Sequence, residues 1–248
     1  MDLSTHRSGL PRLPGNFNPA DATNPYADYS VDQLYEFLSG HELTRDIGAE
    51  FEYSNLGAGL LGHVLASVRG MDWEALVKER VLGPLGMEMS GIALTPDMEE
   101  HLALGHNGRD EVVPNWDIPT LAGAGALRSN ADDMLAFLDA NVGPPVGSLE
   151  EAMRVSHELR DDAGQGGMIG LNWIARTDGE RTIVWHNGGT GGYRTFIGFD
   201  PDREVGVVVL TNSSEGSDDI GFHLLDPSVP LVDPPPPPVE RTEIEVSR

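Results

Sequence analysis

The first regular alternation of apolar and polar positions begins at Val31. In "VDQLYEFL", Val31, Leu34, Tyr35 and Leu38 recur at helical spacing and fall on one face, with Ser30 and Gln33 forming a capping box in front of them. This predicts an amphipathic helix. "NLGAGLLGHVLASVRG", residues 55–70, reads as a largely apolar helix stopped by Gly70, and "DWEALVKERVLGPLG", 72–86, as a third that stops at Gly83-Pro84. Ser129 and Ser148 read as the starts of two more, "NADDMLAFLDANV" and "LEEAMRV", with Asp132 and Glu151 three residues on from each serine. From Gly167 the period shortens. "MIGLNWIAR", "RTIVWHN", "YRTFIGFD" and "EVGVVVLTN" are short β-rich runs, and Asp200-Pro201-Asp202-Arg203 is a hairpin turn between the last two. The order, helices and then an antiparallel sheet, predicts an α+β fold, and no repeat of fixed period interrupts it.

The two ends follow neither period. Residues 1–29 carry Pro11, Pro14, Pro19 and Pro25 and are expected to lie as an irregular segment over an existing body. Pro234 to Pro238 form a semi-rigid spacer, and "VERTEIEVSR" after it alternates like one strand of something larger. The expected division is a domain over residues 1–233, a linker over 234–239 and the start of a further domain at 240–248. Both ends read as cut.

Composition narrows the partners. At 248 residues and 39% hydrophobic, the chain can bury a sizeable core. Forty acidic against 16 basic residues give a formal charge of −24, which repels nucleic acid and anionic membranes. There is no cysteine, so disulfides, thiolate catalysis and cysteine metal sites are excluded while the compartment stays open. No apolar run is long enough to span a bilayer, and "MDLSTHRSGLPRLPG" lacks the basic start and apolar core of a signal peptide. Lys78 is the only lysine, and an acidic surface with arginine in its place is either an adaptation to salt or a compositional bias. The two separate experimentally. Carboxylate repulsion reaches about 30 Å at 0.01 M salt, so an adapted surface raises its melting temperature between dilute buffer and molar potassium chloride, and an unchanged value marks mere composition.

Candidate chemistry sits in two places. At "WHNGGTGGYRTF", His186 ends a strand, and Gly188, Gly189, Gly191 and Gly192 let another group come close to the backbone. Edge amides facing a pocket there can hold the negatively charged oxygen that acyl transfer develops; the alternative is a glycine-rich turn with a surface histidine. Upstream, Tyr53-Ser54-Asn55 stands where a loop enters an apolar helix, which on its own is a packed aromatic and a helix cap. Three other signals read blandly. Gly57 to Gly62 matches a dinucleotide fingerprint, but no apolar strand precedes it and Lys78-Glu79 offers only a poor ribose acid, so helix packing is the simpler reading. His101 and His106 lack a glutamate at zincin spacing, so neither metal nor cofactor is expected. Asn212-Ser213-Ser214 is a glycosylation sequon.

Taken together, Tyr-x-Asn upstream and His-x-Gly on a late strand resemble the second and third motifs of the group formed by serine β-lactamases, penicillin-binding proteins and family VIII esterases. Relatives in that group carry Ser-x-x-Lys, Ser-Asp-Asn and Lys-Thr-Gly. "THRSGLP" at 5–11, "VLGPLGM" at 81–87 and "GAGALRSNADDM" at 123–134 resemble three further stretches of the group, in order. The resemblance implies a β-lactamase/transpeptidase-like fold, an antiparallel sheet flanked by helices with a helical insert, here N-terminally incomplete. It implies that Tyr53 exchanges protons with a serine nucleophile, that Asn55 holds the substrate amide and the lysine, and that His186 orients the tyrosine hydroxyl. The Gly189 amide becomes an oxyanion donor, with Gly188 and Thr190 beside it in contact with substrate. Implied substrates are small esters, amides or β-lactams.

The departures are as specific as the matches. Ser-x-x-Lys is absent, because the residue three before Lys78 is Ala75; in relatives the motif precedes the Thr-His loop and here belongs upstream of Met1. Histidine in place of lysine in the third motif removes a fixed charge near neutral pH, since free imidazole titrates near ~6.5, and this favours uncharged esters or peptides. Three readings follow. The chain is a serine hydrolase without its nucleophile segment, a non-catalytic module that keeps the cleft for a peptide or small ligand, or a dinucleotide-binding protein.

Overall fold

A computed structural model describes residues 1–179 and 181–232, so the proline run and the strand-like tail that follows it lie outside the described residues. Helix α1, Val31–Gly40, begins at the capping box: Gln33 N donates to Ser30 Oγ at 3.2 Å and Ser30 N donates to Gln33 Oε1 at 2.8 Å. Helix α2, Asn55–Arg69, starts one residue after Ser54 and closes on Gly70, whose φ of 67° is the left-handed stop the sequence predicts. Helix α3, Trp73–Val77, departs from the expected stop. It runs through a π-turn, Lys78–Leu82, into α4, Gly83–Leu85, and ends only at Gly86. Pro84 falls in the first turn of α4, where its missing N–H breaks no hydrogen bond, and the wide turn takes the Gly83 amide back to Lys78 O.

Two caps also moved. Helix α6, Ala131–Val142, is capped by Asn130, whose side chain accepts from Asp133 N at 2.9 Å. Ser129 is engaged elsewhere: its hydroxyl lies 2.6 Å from that of Ser90, which donates to the buried Asp133 carboxylate at 2.7 Å. In α7, Ser148–Ser156, Gly147 holds the cap position and Ser148 is the first helical residue. Helices α5, Pro96–Glu100, and α8, Asp218–Leu225, were not anticipated, being short and led by turn-forming residues.

The sheet is a six-stranded antiparallel meander in sequence order: β1 Asp161–Gly164, β2 Gly167–Ile169, β3 Ile174–Asp178, β4 Arg181–Thr190, β5 Tyr193–Asp200 and β6 Val205–Thr211. "MIGLNWIAR" is two strands rather than one. Gly170 N donates to Trp173 O at 2.8 Å, and Asn172 takes φ of 62°, so the chain turns between them. The predicted hairpin turn forms, with Asp200 Oδ1 accepting from the amides of Asp202 and Arg203, each at 3.1 Å. β1 is a polar edge strand with no apolar alternation to announce it.

Packing fixes which face of the sheet bears chemistry. Leu138 and Phe137 of α6 cover Trp173, Ala175, Val184 and Phe199, while Phe222 and Leu225 of α8 cover Ile183, Trp185 and Phe196 on the other face. His157 is wedged in the first of these layers, its ring 4.9 Å from Phe199 and its Nε2 3.1 Å from Asn141 Oδ1. Burial lowers its pKa to about 4, so it is a neutral core residue. A third cluster, with Leu10, Tyr26, Tyr29, Leu34, Leu56 and Leu121, places residues of the irregular first segment inside the helical layer. The register pairs Val184 with Phe199 and His186 with Ile197, which sets His186 on the α6 face beyond the part that α6 covers.

Candidate active site

Ser54 organises the first half of the site. It is 1% exposed; its hydroxyl accepts from Gly57 N at 2.8 Å and donates to Pro11 O at 2.6 Å, while its amide donates to His6 Nδ1 at 3.1 Å. A serine bound three ways is a structural pin, and its neighbours Tyr53 and Asn55 are turned outward on either side. Asn55 Nδ2 donates to the Tyr26 hydroxyl at 3.3 Å.

His6 carries no signal in the sequence beyond its place in "THRSGLP". It is 3% exposed, sits at φ of 55°, and stacks obliquely on Tyr53 with ring centroids 4.5 Å apart. Burial, aided by the neighbouring His186, lowers its pKa to about 4, so its ring is neutral and accepts the Ser54 amide through Nδ1. Burial also pushes the Tyr53 phenol above its ordinary value, against the pull of Arg12, whose guanidinium lies 5.1 Å from the ring centroid.

The second half comes from β4. His186 lies with its ring centroid 6.2 Å from that of Tyr53. Its Nδ1 donates to Asn187 O at 2.6 Å, which leaves the Nε2 lone pair of the neutral ring unused by that bond. Burial pushes this imidazole down, opposed by the Asn187 carbonyl and the Asp218 charge. Asn187 points to the other face, where its amide donates to Asp218 Oδ2 at 2.6 Å and anchors α8. Pairing with β3 ends at Ile174 opposite Trp185, so residues 186–190, including Gly188, Gly189 and Thr190, are paired with β5 alone among the described residues. The edge that the sequence suggested is present.

The glycines have a further explanation. A Cβ on Gly188 would lie 2.4 Å from Thr195 Oγ1, on Gly189 2.3 Å from Arg194 Nη1, on Gly191 2.7 Å from Pro114 O, and on Gly192 2.5 Å from Gly105 C. The groups that come close are the protein's own, namely cross-strand side chains and the loop 105–116. Nothing local in "GGTGG" distinguishes that from room for a ligand.

Next to the site lies a cavity of about 720 Å³ between Met89, Met98, Leu102 and Met134 on the helical side and Ile197, Val208 and Leu210 on the sheet. Thr190 and Trp116 line it; Tyr53, Asn55 and His186 do not. It adjoins them through Trp116, whose ring is 5.7 Å from that of Tyr26. Ser129 also lines it. His101 lines it as well, His106 Nδ1 donates to Asn212 O at 3.1 Å, and no group of three or more potential metal ligands occurs among the described residues. Nor, among those residues, is any helix long and apolar enough to cross a membrane.

The beta-lactamase family model matches residues 1–225. The chain belongs to the beta-lactamase family. It is 27% identical over 230 residues to the D-alanyl-D-alanine-carboxypeptidase/endopeptidase AmpH of Escherichia coli, a match that covers 86% of this chain and 58% of that protein. It is 25% identical over 208 residues to protein flp of Staphylococcus aureus, covering 78% of this chain and 40% of that one. This beta-lactamase-family chain therefore spans about half the length of the curated relatives it matches. Among solved structures it superposes on a β-lactamase/D-alanine carboxypeptidase from Yersinia pestis, complexed with citrate, with a TM-score of 0.76 at 21% identity, covering 91% of this chain and 68% of that one. A class C β-lactamase from Rhodobacter sphaeroides gives 0.72 at 24% identity, covering 86% and 67%. The fold of the beta-lactamase family is thus the antiparallel sheet with flanking helices described above.

Proposed function

We propose that this chain carries the proton-transfer half of a serine acyl-transfer site, and that residues outside these 248 supply the serine and its lysine. The observation that carries the reading is the approach of Tyr53 to His186, from segments 133 positions apart, beside the unpaired edge of β4. In this reading Tyr53 acts as the phenolate: its oxygen takes the proton of the attacking serine hydroxyl as the acyl bond forms, then returns it to the leaving group, so the tyrosine ends as it began. Asn55 holds the substrate amide, His186 orients the phenol, and the Gly189 amide receives the developing oxyanion, with Gly188 and Thr190 lining the acyl side. Small esters, amides or β-lactams are the substrate classes. The Escherichia coli relative, named as a carboxypeptidase/endopeptidase, favours a peptide bond among these.

A second reading, a non-catalytic module that binds a peptide or small ligand in the same cleft, is favoured by one fact: none of the serines in the chain has a lysine three residues on. Both readings make the same prediction for the chain alone. Incubated with a fluorophosphonate or a penicillin, it yields no stoichiometric adduct by intact-protein mass spectrometry, because Ser54 is buried and bound and a serine without a base is a poor nucleophile. An adduct on any serine would overturn the assignment. The readings part at the nucleic-acid level, where an in-frame Ser-x-x-Lys upstream of Met1 decides for the enzyme.

A further inference from the structure

We propose that Arg12 is the electrostatic partner of Tyr53, supplying the positive charge that stabilises a phenolate in this site. The guanidinium carbon lies 5.1 Å from the centre of the Tyr53 ring. The backbone that carries it is tied to the start of α2: Pro11 O accepts from the Ser54 hydroxyl at 2.6 Å and Arg12 O accepts from Leu56 N at 3.1 Å. The loop and the start of α2 are thus tied together around Tyr53, which sets the Arg12 backbone within side-chain reach of the ring.

The chain has 40 acidic and 16 basic residues, and Arg7, Arg45 and Lys78 are each paired with a carboxylate. Arg12 forms no ion pair with any described residue, and its side chain is exposed. Facing Tyr53 are His6 from the first loop, His186 from β4 and the Tyr26 phenol. Burial holds both imidazoles below their ordinary values, so neither carries the charge near neutral pH. Arg12 is the one cation against this ring among the described residues, and it acts on Tyr53 in the direction opposite to burial. A third motif with histidine lacks a fixed charge; in this chain the charge enters from the opposite wall.

The inference rests on the reading of Tyr53 as the proton-transfer group, but its test needs no catalysis. The chain is labelled with 3-fluorotyrosine, its five tyrosines are followed by fluorine NMR against pH, and Tyr53→Phe assigns the signal. Arg12→Met and Arg12→Gln are expected to raise the Tyr53 midpoint by about 0.5–1 pH unit in dilute salt, the range left to an exposed charge at this distance, and to leave the other four unmoved. Arg12→Lys keeps most of the wild-type value. In the wild type, the Arg12 guanidinium carbon signal shifts with the Tyr53 midpoint, since the coupling is reciprocal; this arm requires no neutral variant to fold. A Tyr53 midpoint within about 0.2 unit of wild type in the neutral variants, or an Arg12 signal indifferent to Tyr53 ionisation, overturns the proposal. Loss of the hydrolase reading would leave this coupling intact, so the two failures are distinguishable.

Discussion

Tyr53→Phe, in the protein joined to a segment that bears Ser-x-x-Lys, is expected to lower turnover by about 10²–10⁴ while the melting temperature stays at the wild-type value. The ring packs on His6 and under Arg12, and phenylalanine keeps both contacts. Only the hydroxyl is lost, the atom proposed to receive the proton of the serine. His186→Ala is expected to cost less, because an orienting group can be replaced in part by water. Steady-state hydrolysis of an activated ester checks both. Full activity in Tyr53→Phe would remove the tyrosine from the mechanism.

The second large effect concerns stability. Gly192→Ala is expected to destabilise the fold by about 2–4 kcal/mol in urea unfolding, from two independent costs. At φ of 74° a side chain costs about 1 kcal/mol. Its Cβ would also stand 2.5 Å from Gly105 C and 2.6 Å from His106 N, and backbone atoms cannot rotate away, which adds about 1–3 kcal/mol of overpacking. Gly70→Ala is the control. It shares the left-handed backbone, at φ of 67°, but has nothing within 4 Å of the added methyl, so only the conformational cost of about 1 kcal/mol applies. Equal losses for the two substitutions would mean that the loop 105–116 does not close on the β4–β5 turn.

What was legible in the sequence is what is decided locally. The capping box at Ser30, the left-handed stop at Gly70 and the turn at Asp200 all depend on groups within four residues of their partners, and all three formed. Errors arose where a distant group changed a local preference. Ser129 was not free to cap α6 because Ser90, 39 positions away, took its hydroxyl. Gly83-Pro84 did not end its helix because a wide turn takes the Gly83 amide back to Lys78 O and leaves Pro84 in the first turn of α4, where no N–H is needed. The site divides in the same way. Tyr53 and His186 were found through their resemblance to known motifs, whereas His6 and Arg12 act across 48 and 41 positions, through a buried hydrogen bond and a ring contact that no periodicity encodes.

Strand β6, "VGVVVLT", carries no charge and pairs with β5 on one side only among the described residues. Val205 and Leu210 are each 40% exposed. An uncharged, β-branched edge of this length is a template for adding strands from other copies, and nothing in its own sequence discourages that. What opposes it is the bulk charge of −24, which acts between molecules rather than along the strand. Toward the isoelectric point near 4.4 that repulsion disappears while the edge persists, so association by strand pairing is expected to rise there, as light scattering against pH would read.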